Sequence, residues 1–202
     1  MTKIKLCGLS RTCDIAAANE LGPDYIGFVF AKESKRYIPP DRAEKLKALL
    51  AENIKAVGIF VDETPEAVAD LLNSGVIDMA QLHGDEDETY IRRLRQLTGR
   101  PIIRAFRIKE AADIEKAKKS SADHVLLDSG AGTGTLFDWQ LIQNMKRPYF
   151  LAGGLTPENV AEAVTRCHPF AVDVSSAIET DGVKDMAKMA AFVAAVRREK
   201  NK

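Results

Sequence analysis

The sequence predicts an α/β protein, a single (β/α)8 barrel of the TIM type with parallel strands over residues 1–202. Short apolar runs alternate with amphipathic helical segments along the whole chain, in eight units of about 25 residues each. Most of the apolar runs are continuous, which is typical of parallel strands that are covered on both faces. A chain of 202 residues lies at the lower limit of this fold.

The predicted elements follow one another with short connections, which leaves no room for a second domain or a long linker. The eight strands are predicted at residues 3–7, 25–30, 55–61, 77–82, 102–106, 124–128, 149–152 and 171–175. Helices are predicted, among others, at residues 42–51, 65–74, 86–97, 110–120, 157–166 and 184–198. Because a sequence does not reveal the order of strands in a sheet, a doubly wound open sheet is the alternative.

Several helix ends carry residues that are typical of helix termini. Thr64 places a capping hydroxyl directly before Pro65, at the first helical position. Thr156 and Pro157 repeat this arrangement, and Gly75 follows the predicted helix 65–74 directly. These residues predict that two of the helices begin at Pro65 and Pro157.

The charge balance argues against a nucleic acid or a membrane as the partner. The chain has 29 Lys and Arg and 29 Asp and Glu, so its formal net charge is zero. No basic excess points to nucleic acid or an anionic membrane surface. The apolar runs are far shorter than the roughly 20 residues of a membrane helix. A local site for a single anion remains compatible with this composition.

The cysteines indicate a reducing compartment. Cys7, Cys13 and Cys167 form an odd set without the spacing of a zinc site, so we expect no structural metal. The first residues lack the apolar core of a signal peptide. We therefore expect a cytoplasmic protein, and we expect Cys13 and Cys167 to pack within helical segments.

In a barrel, the active site lies where the strands end and the following loops begin. The ends of the last two strands carry the residues of a phosphate site, namely Gly153, Gly154, Ser175 and Ser176. Glycine lets a ligand approach backbone N–H groups, and the hydroxyls add donors. A short helix after Ser175 would add the positive end of its dipole. The alternative is that the two glycines only form a tight turn.

Cys7 ends the first strand and is a candidate for a reactive thiol. Strand alternation places Lys5 and Cys7 on one face, which we expect to point into the barrel. A neighbouring ammonium group favours the thiolate, so we expect a lowered thiol pKa. The alternative is a small buried apolar residue, which is the usual role of a cysteine in a strand.

Asp128 ends an apolar strand, in a position that suits a proton donor or acceptor. The alternative is an aspartate that caps the turn before Gly130. The loop 130–134 is rich in glycine and could close over a substrate. It lacks the Gly-Lys-Ser/Thr ending of a nucleotide-binding loop.

Three further polar residues stand near strand ends. Arg36 follows the second strand and could hold a carboxylate with its forked donors, although most loop arginines are simply solvated. His83 is more typical of a hydrogen-bonding residue at the rim than of a catalyst. Asp173 should point inward and needs a partner. Because the first and last strands are neighbours in a closed barrel, we expect it to interact with Lys5, either directly or through the substrate.

Seven short segments occur in a characteristic order along the chain, namely Lys5-Leu6-Cys7-Gly8, Gln81-Leu82-His83-Gly84-Asp85-Glu86, Leu126-Leu127-Asp128, Gly132-Thr133-Gly134, Phe137-Asp138-Trp139, Leu151-Ala152-Gly153-Gly154-Leu155 and Val172-Asp173-Val174-Ser175-Ser176. Together these segments closely resemble the phosphoribosylanthranilate isomerases of tryptophan biosynthesis, over essentially the whole chain.

The resemblance implies an Amadori rearrangement of N-(5-phosphoribosyl)anthranilate, a small phosphosugar substrate, without a cofactor. It implies that Asp128 is the general acid and Cys7 the general base. It implies that Arg36 holds the anthranilate carboxylate and that the last two loops hold the phosphate. Asp173 and His83 are expected to line the same substrate site. The oligomeric state stays open between monomer and homodimer.

The sequence departs from the family pattern at four positions. Lys35 stands where the family usually has a proline before the arginine, so the loop that carries Arg36 lacks a residue that would stiffen it. Ala131, Ala171 and Ala177 replace glycines. A methyl group at Ala177 would matter if the phosphate loop required a positive φ there.

Two other functions are compatible with a phosphate-binding barrel. Indoleglycerol-phosphate synthases resemble this chain at the phosphate loops, but they rely on a catalytic lysine and on glutamates, whereas the first strand here ends in Cys7. A non-catalytic module that binds phosphosugars is the second alternative. The presence of both acid and base positions argues against it.

Overall fold

The computed structural model describes residues 1–129, 139–142 and 145–198. The eight strands of the main sheet close into a parallel barrel in sequential order, and β1 pairs with β8. The strands are β1 (Lys3–Cys7), β2 (Tyr25–Val29), β3 (Lys55–Phe60), β4 (Met79–Leu82), β5 (Ile102–Arg107), β6 (His124–Asp128), β7 (Tyr149–Ala152) and β8 (Ala171–Val174). The closed order confirms the predicted barrel and excludes the open sheet.

Seven α-helices cover the outside of the barrel in the described part of the chain. They are α1 (Thr12–Leu21), α2 (Pro40–Lys47), α3 (Pro65–Asn73), α4 (Glu88–Leu97), α5 (Ala111–Lys119), α6 (Val160–Cys167) and α7 (Met186–Arg198). Between β6 and β7 the described residues form a 3-10 helix, Trp139–Ile142, where the eight-unit pattern predicts an α-helix. The loop 130–134 and the segment Phe137-Asp138 lie outside the described residues.

A small antiparallel hairpin between β8 and α7 was not predicted. A 3-10 turn (Ser176–Ile178) follows β8, and then β9 (Glu179–Thr180) pairs with β10 (Val183–Lys184). Lys184 therefore lies in a strand, and α7 begins two residues later than the predicted helix 184–198. The reason is the tight turn at Asp181 and Gly182, which both have positive φ, of 51° and 78°.

One predicted helix start is confirmed. The hydroxyl of Thr64 accepts a hydrogen bond from the backbone N–H of Ala67 at 3.3 Å, and α3 begins at Pro65. Gly75 follows this helix with a φ of 80°, which an L-residue rarely adopts.

The start predicted at Pro157 is wrong, because α6 begins at Val160. The side chain of Asn159 accepts a hydrogen bond from Thr156 N at 2.8 Å and donates one to the carbonyl of Gly154 at 2.9 Å. These two contacts hold residues 156–159 in a turn, so the chain enters the helix three residues late. The same contacts tie the start of α6 to the loop after β7.

The core has two layers, inside the barrel and between the barrel and its helices. In β1, Ile4 and Leu6 pack in the outer layer, whereas Cys7 packs against Val29 and Ile59 in the barrel interior. Lys5 lies on the same inward face and is fully buried. The predicted alternation of β1 is confirmed. No helix in the described part of the chain is long and apolar enough to cross a membrane.

Candidate active site

The barrel closes on a buried ion pair between its first and last strands. Lys5 lies opposite Asp173 in the pairing of β1 with β8, and Lys5 Nζ is 3.0 Å from Asp173 Oδ1. Their side chains are 0% and 9% exposed. This contact confirms the predicted interaction. It holds the carboxylate of Asp173 in the barrel interior, toward which Cys7 of β1 also points.

Cys7 lies at the C-terminal end of β1, where Gly27 of β2 makes room for its sulfur. A Cβ atom at position 27 would come within 2.7 Å of Cys7 Sγ. Burial raises the pKa of the Cys7 thiol, and the ammonium groups of Lys5 and Lys184 oppose this effect without cancelling it. The predicted lowering of the thiol pKa is therefore wrong. The sequence indicates a nearby lysine but not the extent of burial.

The other two cysteines lie outside the barrel interior. Cys13 is exposed on α1, so the prediction that it packs in the core is wrong. Cys167 ends α6 and is partly buried against the outer core. Burial raises the pKa of Cys167 to about 11.

Asp128 ends β6 and lies beside His83, which follows β4. His83 Nε2 is 3.4 Å from Asp128 Oδ2, and Gln81 Nε2 is 2.8 Å from His83 Nδ1. His83 is thus oriented by Gln81 and directed at Asp128.

The loop that carries His83 is held by a buried carboxylate. Glu86 accepts hydrogen bonds from Gly84 N at 2.9 Å and from Asp62 N at 2.8 Å. It also pairs with Arg104 of β5 at 3.1 Å. The loops after β3 and β4 are therefore joined to the middle of β5 around one side chain that is 1% exposed.

Arg36 lies between β2 and α2, and it contacts a residue that the sequence analysis missed. Its Nε and Nη2 donate to the two carboxylate oxygens of Glu179, at 2.6 and 2.8 Å. Gly8 allows this placement, because a Cβ there would lie 2.5 Å from Arg36 Cδ. Lys184 Nζ contacts the same carboxylate at 2.5 Å. The unusual Lys35 does not prevent Arg36 from lying beside the end of β1.

The loop after β7 turns at two glycines, and the loop after β8 begins with two serines. Gly153 and Gly154 have φ values of 85° and 65°, which glycine adopts without strain. A Cβ on Gly153 would lie 2.1 Å from the Ser129 hydroxyl. Ser175 donates from its hydroxyl to the carbonyl of Cys7 at 3.2 Å, and Ser176 begins the short 3-10 turn.

The alanine departures fit this geometry where they are described. Ala171 is fully buried in the inner core, and Ala177 lies in the 3-10 turn and is not among the described non-glycine residues with a positive φ. The added methyl at Ala177 therefore causes no backbone strain. Ala131 lies outside the described residues.

The mouth of the barrel thus brings together residues from six strand ends. Cys7, Arg36, His83, Asp128, Gly153, Gly154, Ser175 and Ser176 all follow or end strands at this face, and Asp173 lies beneath them. Among the described residues, no three His, Cys, Asp or Glu side chains form a group that could hold a metal ion.

Comparisons with known proteins identify the family. The model of the family "N-(5'phosphoribosyl)anthranilate (PRA) isomerase" matches residues 4–195. The N-(5'-phosphoribosyl)anthranilate isomerase of Endomicrobium trichonymphae is 42% identical over 202 residues, covering 98% of this chain and 99% of that protein. The chain belongs to the phosphoribosylanthranilate isomerase family. It is an isomerase of tryptophan biosynthesis that acts on N-(5-phosphoribosyl)anthranilate.

Solved phosphoribosylanthranilate isomerases have the same fold. The enzyme from Thermotoga maritima superposes with a TM-score of 0.89 at 34% identity, over 98% of this chain and 100% of that one. A second structure, also 34% identical and covering the same shares, superposes with a TM-score of 0.87. It is a complex with reduced 1-(o-carboxyphenylamino)-1-deoxyribulose 5-phosphate.

Proposed function

We propose that this isomerase works with Cys7 as the general base and Asp128 as the general acid. The observation that carries the proposal is their position at the ends of β1 and β6, two strands on different sides of one barrel mouth. A substrate in the mouth can meet a proton donor from one side and a proton acceptor from the other. The rest of the mouth supplies groups for the two anionic ends of the substrate.

The reaction is a set of proton transfers that leaves the overall oxidation state unchanged, so its chemistry requires no cofactor. Asp128 donates its proton to the ribose ring oxygen, and the C1–O bond breaks to give a Schiff base. Cys7 then removes the proton from C2, and the resulting enolamine tautomerises to the ketone. The Nε2–H of His83 stabilises the carboxylate that Asp128 leaves behind.

The two late loops and Arg36 hold the substrate at opposite ends. Gly153, Gly154, Ser175 and Ser176 bind the 5-phosphate through backbone N–H groups and hydroxyls. Arg36 binds the carboxylate of the anthranilate ring. His83 and Asp173 line the space between, where Asp173 accepts hydrogen bonds from substrate hydroxyl groups.

The proposal extends to the domain organisation, the compartment and the partners of the enzyme. We propose that the chain is organised as one barrel domain, to which all eight strands of the closed sheet belong. The enzyme works in the cytoplasm as a monomer or homodimer on a small phosphosugar, without nucleic acid or membrane as a partner.

The test of the two catalytic residues uses Cys7→Ala and Asp128→Ala. Each should lower turnover by about 100-fold or more, because each removes one proton-transfer group. Phosphoribosylanthranilate is generated in situ, and its anthranilate fluorescence follows the reaction. Both variants should bind the reduced product analogue with affinity close to that of the wild type, as measured by calorimetry.

The matched control is Cys13→Ala, which removes an exposed thiol on α1. It should turn over like the wild type. Turnover of Cys7→Ala at the level of this control would overturn the assignment of the base.

A further inference from the structure

Glu179 joins two cations at the mouth of the barrel. It accepts Nε and Nη2 of Arg36 on its two oxygens, at 2.6 and 2.8 Å, and Lys184 Nζ approaches Oε1 to 2.5 Å. The side chains of Glu179 and Lys184 are only 8% and 3% exposed. Burial works to raise the pKa of Glu179, but hydrogen bonds from Arg36 and Lys184 hold it below the usual value. The carboxylate is therefore charged at neutral pH.

The β9–β10 hairpin builds this cluster and connects it to Cys7. Lys184 pairs with Glu179 in the register of the hairpin, so the two side chains are held by their backbones as well as by their charges. Lys184 Nζ also donates to the carbonyl of Ser175 at 2.9 Å, and Ser175 donates to the carbonyl of Cys7 at 3.2 Å. The position of the hairpin is thus linked to the end of β1.

Glu179 occupies only one edge of the Arg36 guanidinium group. A guanidinium can bind a carboxylate through its Nε–Nη2 edge or through its Nη1–Nη2 edge. Glu179 takes the first edge, and Nη1 forms no hydrogen bond to another described residue. The Arg36 side chain remains 32% exposed. The second edge is therefore available to a ligand.

The charges of the cluster favour an anionic ligand. Two cations and one carboxylate leave one net positive charge in a largely buried place, which a carboxylate ligand would neutralise. A freely moving arginine loses much side-chain entropy on binding, whereas one that is already held loses less.

We infer that Glu179 is a positioning residue for substrate recognition, which orients the open edge of Arg36 toward the carboxylate of the anthranilate ring. Lys184 in turn fixes Glu179. The inference rests on the proposed role of Arg36 in binding that carboxylate. The alternative is that Glu179 only fastens the hairpin to the barrel.

The experiment measures preference for the carboxylate, which a purely structural role would not change. Calorimetry compares the reduced product analogue with its counterpart that lacks the ring carboxylate. The wild type should prefer the first ligand, and Glu179→Gln should lower that preference by about 10- to 100-fold, as expected for a misplaced binding group. Arg36→Lys should lower it similarly, and the double variant should lose little more, because both changes act on one contact.

Two further variants separate the contribution of Glu179 from general effects. Glu66→Gln is the matched control, because Glu66 accepts Nε and Nη2 of Arg93 on the outer surface. It should retain the wild-type preference. Glu179→Asp keeps the charge on a shorter side chain, and should retain part of the preference. It also serves as the test if Glu179→Gln does not fold.

The contradicting outcomes are distinct. Equal weakening of both ligands by Glu179→Gln, or an unchanged preference in a folded Glu179 variant, would overturn the inference and leave Glu179 as a hairpin fastener. An unchanged preference in Arg36→Lys would overturn the role of Arg36 itself, and the inference with it. If Arg36→Lys lowers the preference and Glu179→Gln does not, the inference about Glu179 is wrong, whereas the proposed role of Arg36 is supported.

Discussion

Cys7 combines a buried position with two nearby ammonium groups. Burial raises the pKa of its thiol, whereas Lys5 and Lys184 lower it, and the effect of burial prevails. A general base must be deprotonated when it acts, so the ammonium groups matter most for stabilising the thiolate. The chemistry of this residue therefore depends on charges that lie on β1 and β10, far apart in the sequence.

The raised pKa of the Cys7 thiol predicts a particular pH dependence. kcat/KM reports the ionisation of the free enzyme. An ordinary cysteine thiol has a pKa of about 8.5, so kcat/KM should still rise as the pH increases beyond that value. Lys184→Met removes one charge that lowers this pKa, so the rise should move to higher pH. Steady-state rates followed by anthranilate fluorescence between about pH 6 and about pH 10 would measure both profiles.

The exposed Lys45→Met on α2 is the control and should leave the profile in place. A wild-type profile that levels off well below the usual thiol range would contradict the structural account of Cys7.

At the residue scale, the sequence predicted the polar groups at the strand ends and in the loops after them, and it missed the two charged residues of the β9–β10 hairpin. Cys7 and Asp128 could be found because strand alternation and the barrel prior fix where a strand-end side chain points. Glu179 and Lys184 were missed, because their hairpin spans only residues 179–184 and the sequence predicts a helix from Lys184 onward. The available signal in the sequence was the spacing of Glu179 and Lys184 on either side of Asp181-Gly182, which is typical of paired residues in a hairpin.

At the scale of elements, the loop after β7 is shaped by contacts on both of its sides. Gly153 lies against Ser129 at the end of β6, and Asn159 donates to the carbonyl of Gly154 from the turn before α6. The sequence indicated the glycines and a helix start at Pro157. It could not indicate that Asn159 would bond to the loop and delay the helix, because that choice depends on where the loop lies.

This geometry predicts a specific defect for Gly153→Ala. The new Cβ would meet the Ser129 hydroxyl at 2.1 Å and the Ser129 backbone nitrogen at 2.5 Å, at a φ of 85°. The loop must shift, so KM should rise by about tenfold or more, because backbone donors to the phosphate move. The same Cβ lies 2.6 Å from Oδ1 of Asp128, the proposed acid, so kcat should fall as well. Steady-state kinetics by anthranilate fluorescence would measure both effects.

The matched control is Gly75→Ala, at a φ of 80° with no atom within 4 Å of the new Cβ. It should lower stability by about 1 kcal/mol through backbone strain and leave KM unchanged. An unchanged KM in Gly153→Ala would contradict the proposal that this loop binds the phosphate.

At the scale of the whole molecule, the barrel is closed by pairing the first strand with the last. The Lys5–Asp173 pair lies inside this closure and was predicted from alternation and from barrel topology together. The formal net charge of zero indicated little about the site when taken alone. In the structure, local cations at the mouth provide for an anionic substrate without a positive surface field.

The buried pair predicts an asymmetry in stability. Asp173→Leu alone leaves the buried ammonium of Lys5 without its carboxylate, and should cost about 3–5 kcal/mol of unfolding free energy. Lys5→Met combined with Asp173→Leu removes both charges, and should recover most of that loss. Urea unfolding followed by circular dichroism would measure the difference, and equal loss in the single and double variants would contradict the account.

A crystal structure with reduced 1-(o-carboxyphenylamino)-1-deoxyribulose 5-phosphate would test the proposed roles of the site residues most directly. We predict the phosphate on the loops of Gly153 and Ser175, the ring carboxylate on the open edge of Arg36, and the sugar carbons between Cys7 and Asp128. A ligand bound in the opposite direction would contradict the proposed phosphate and carboxylate sites. A ligand with C2 out of reach of the Cys7 sulfur would contradict the assignment of Cys7 as the general base.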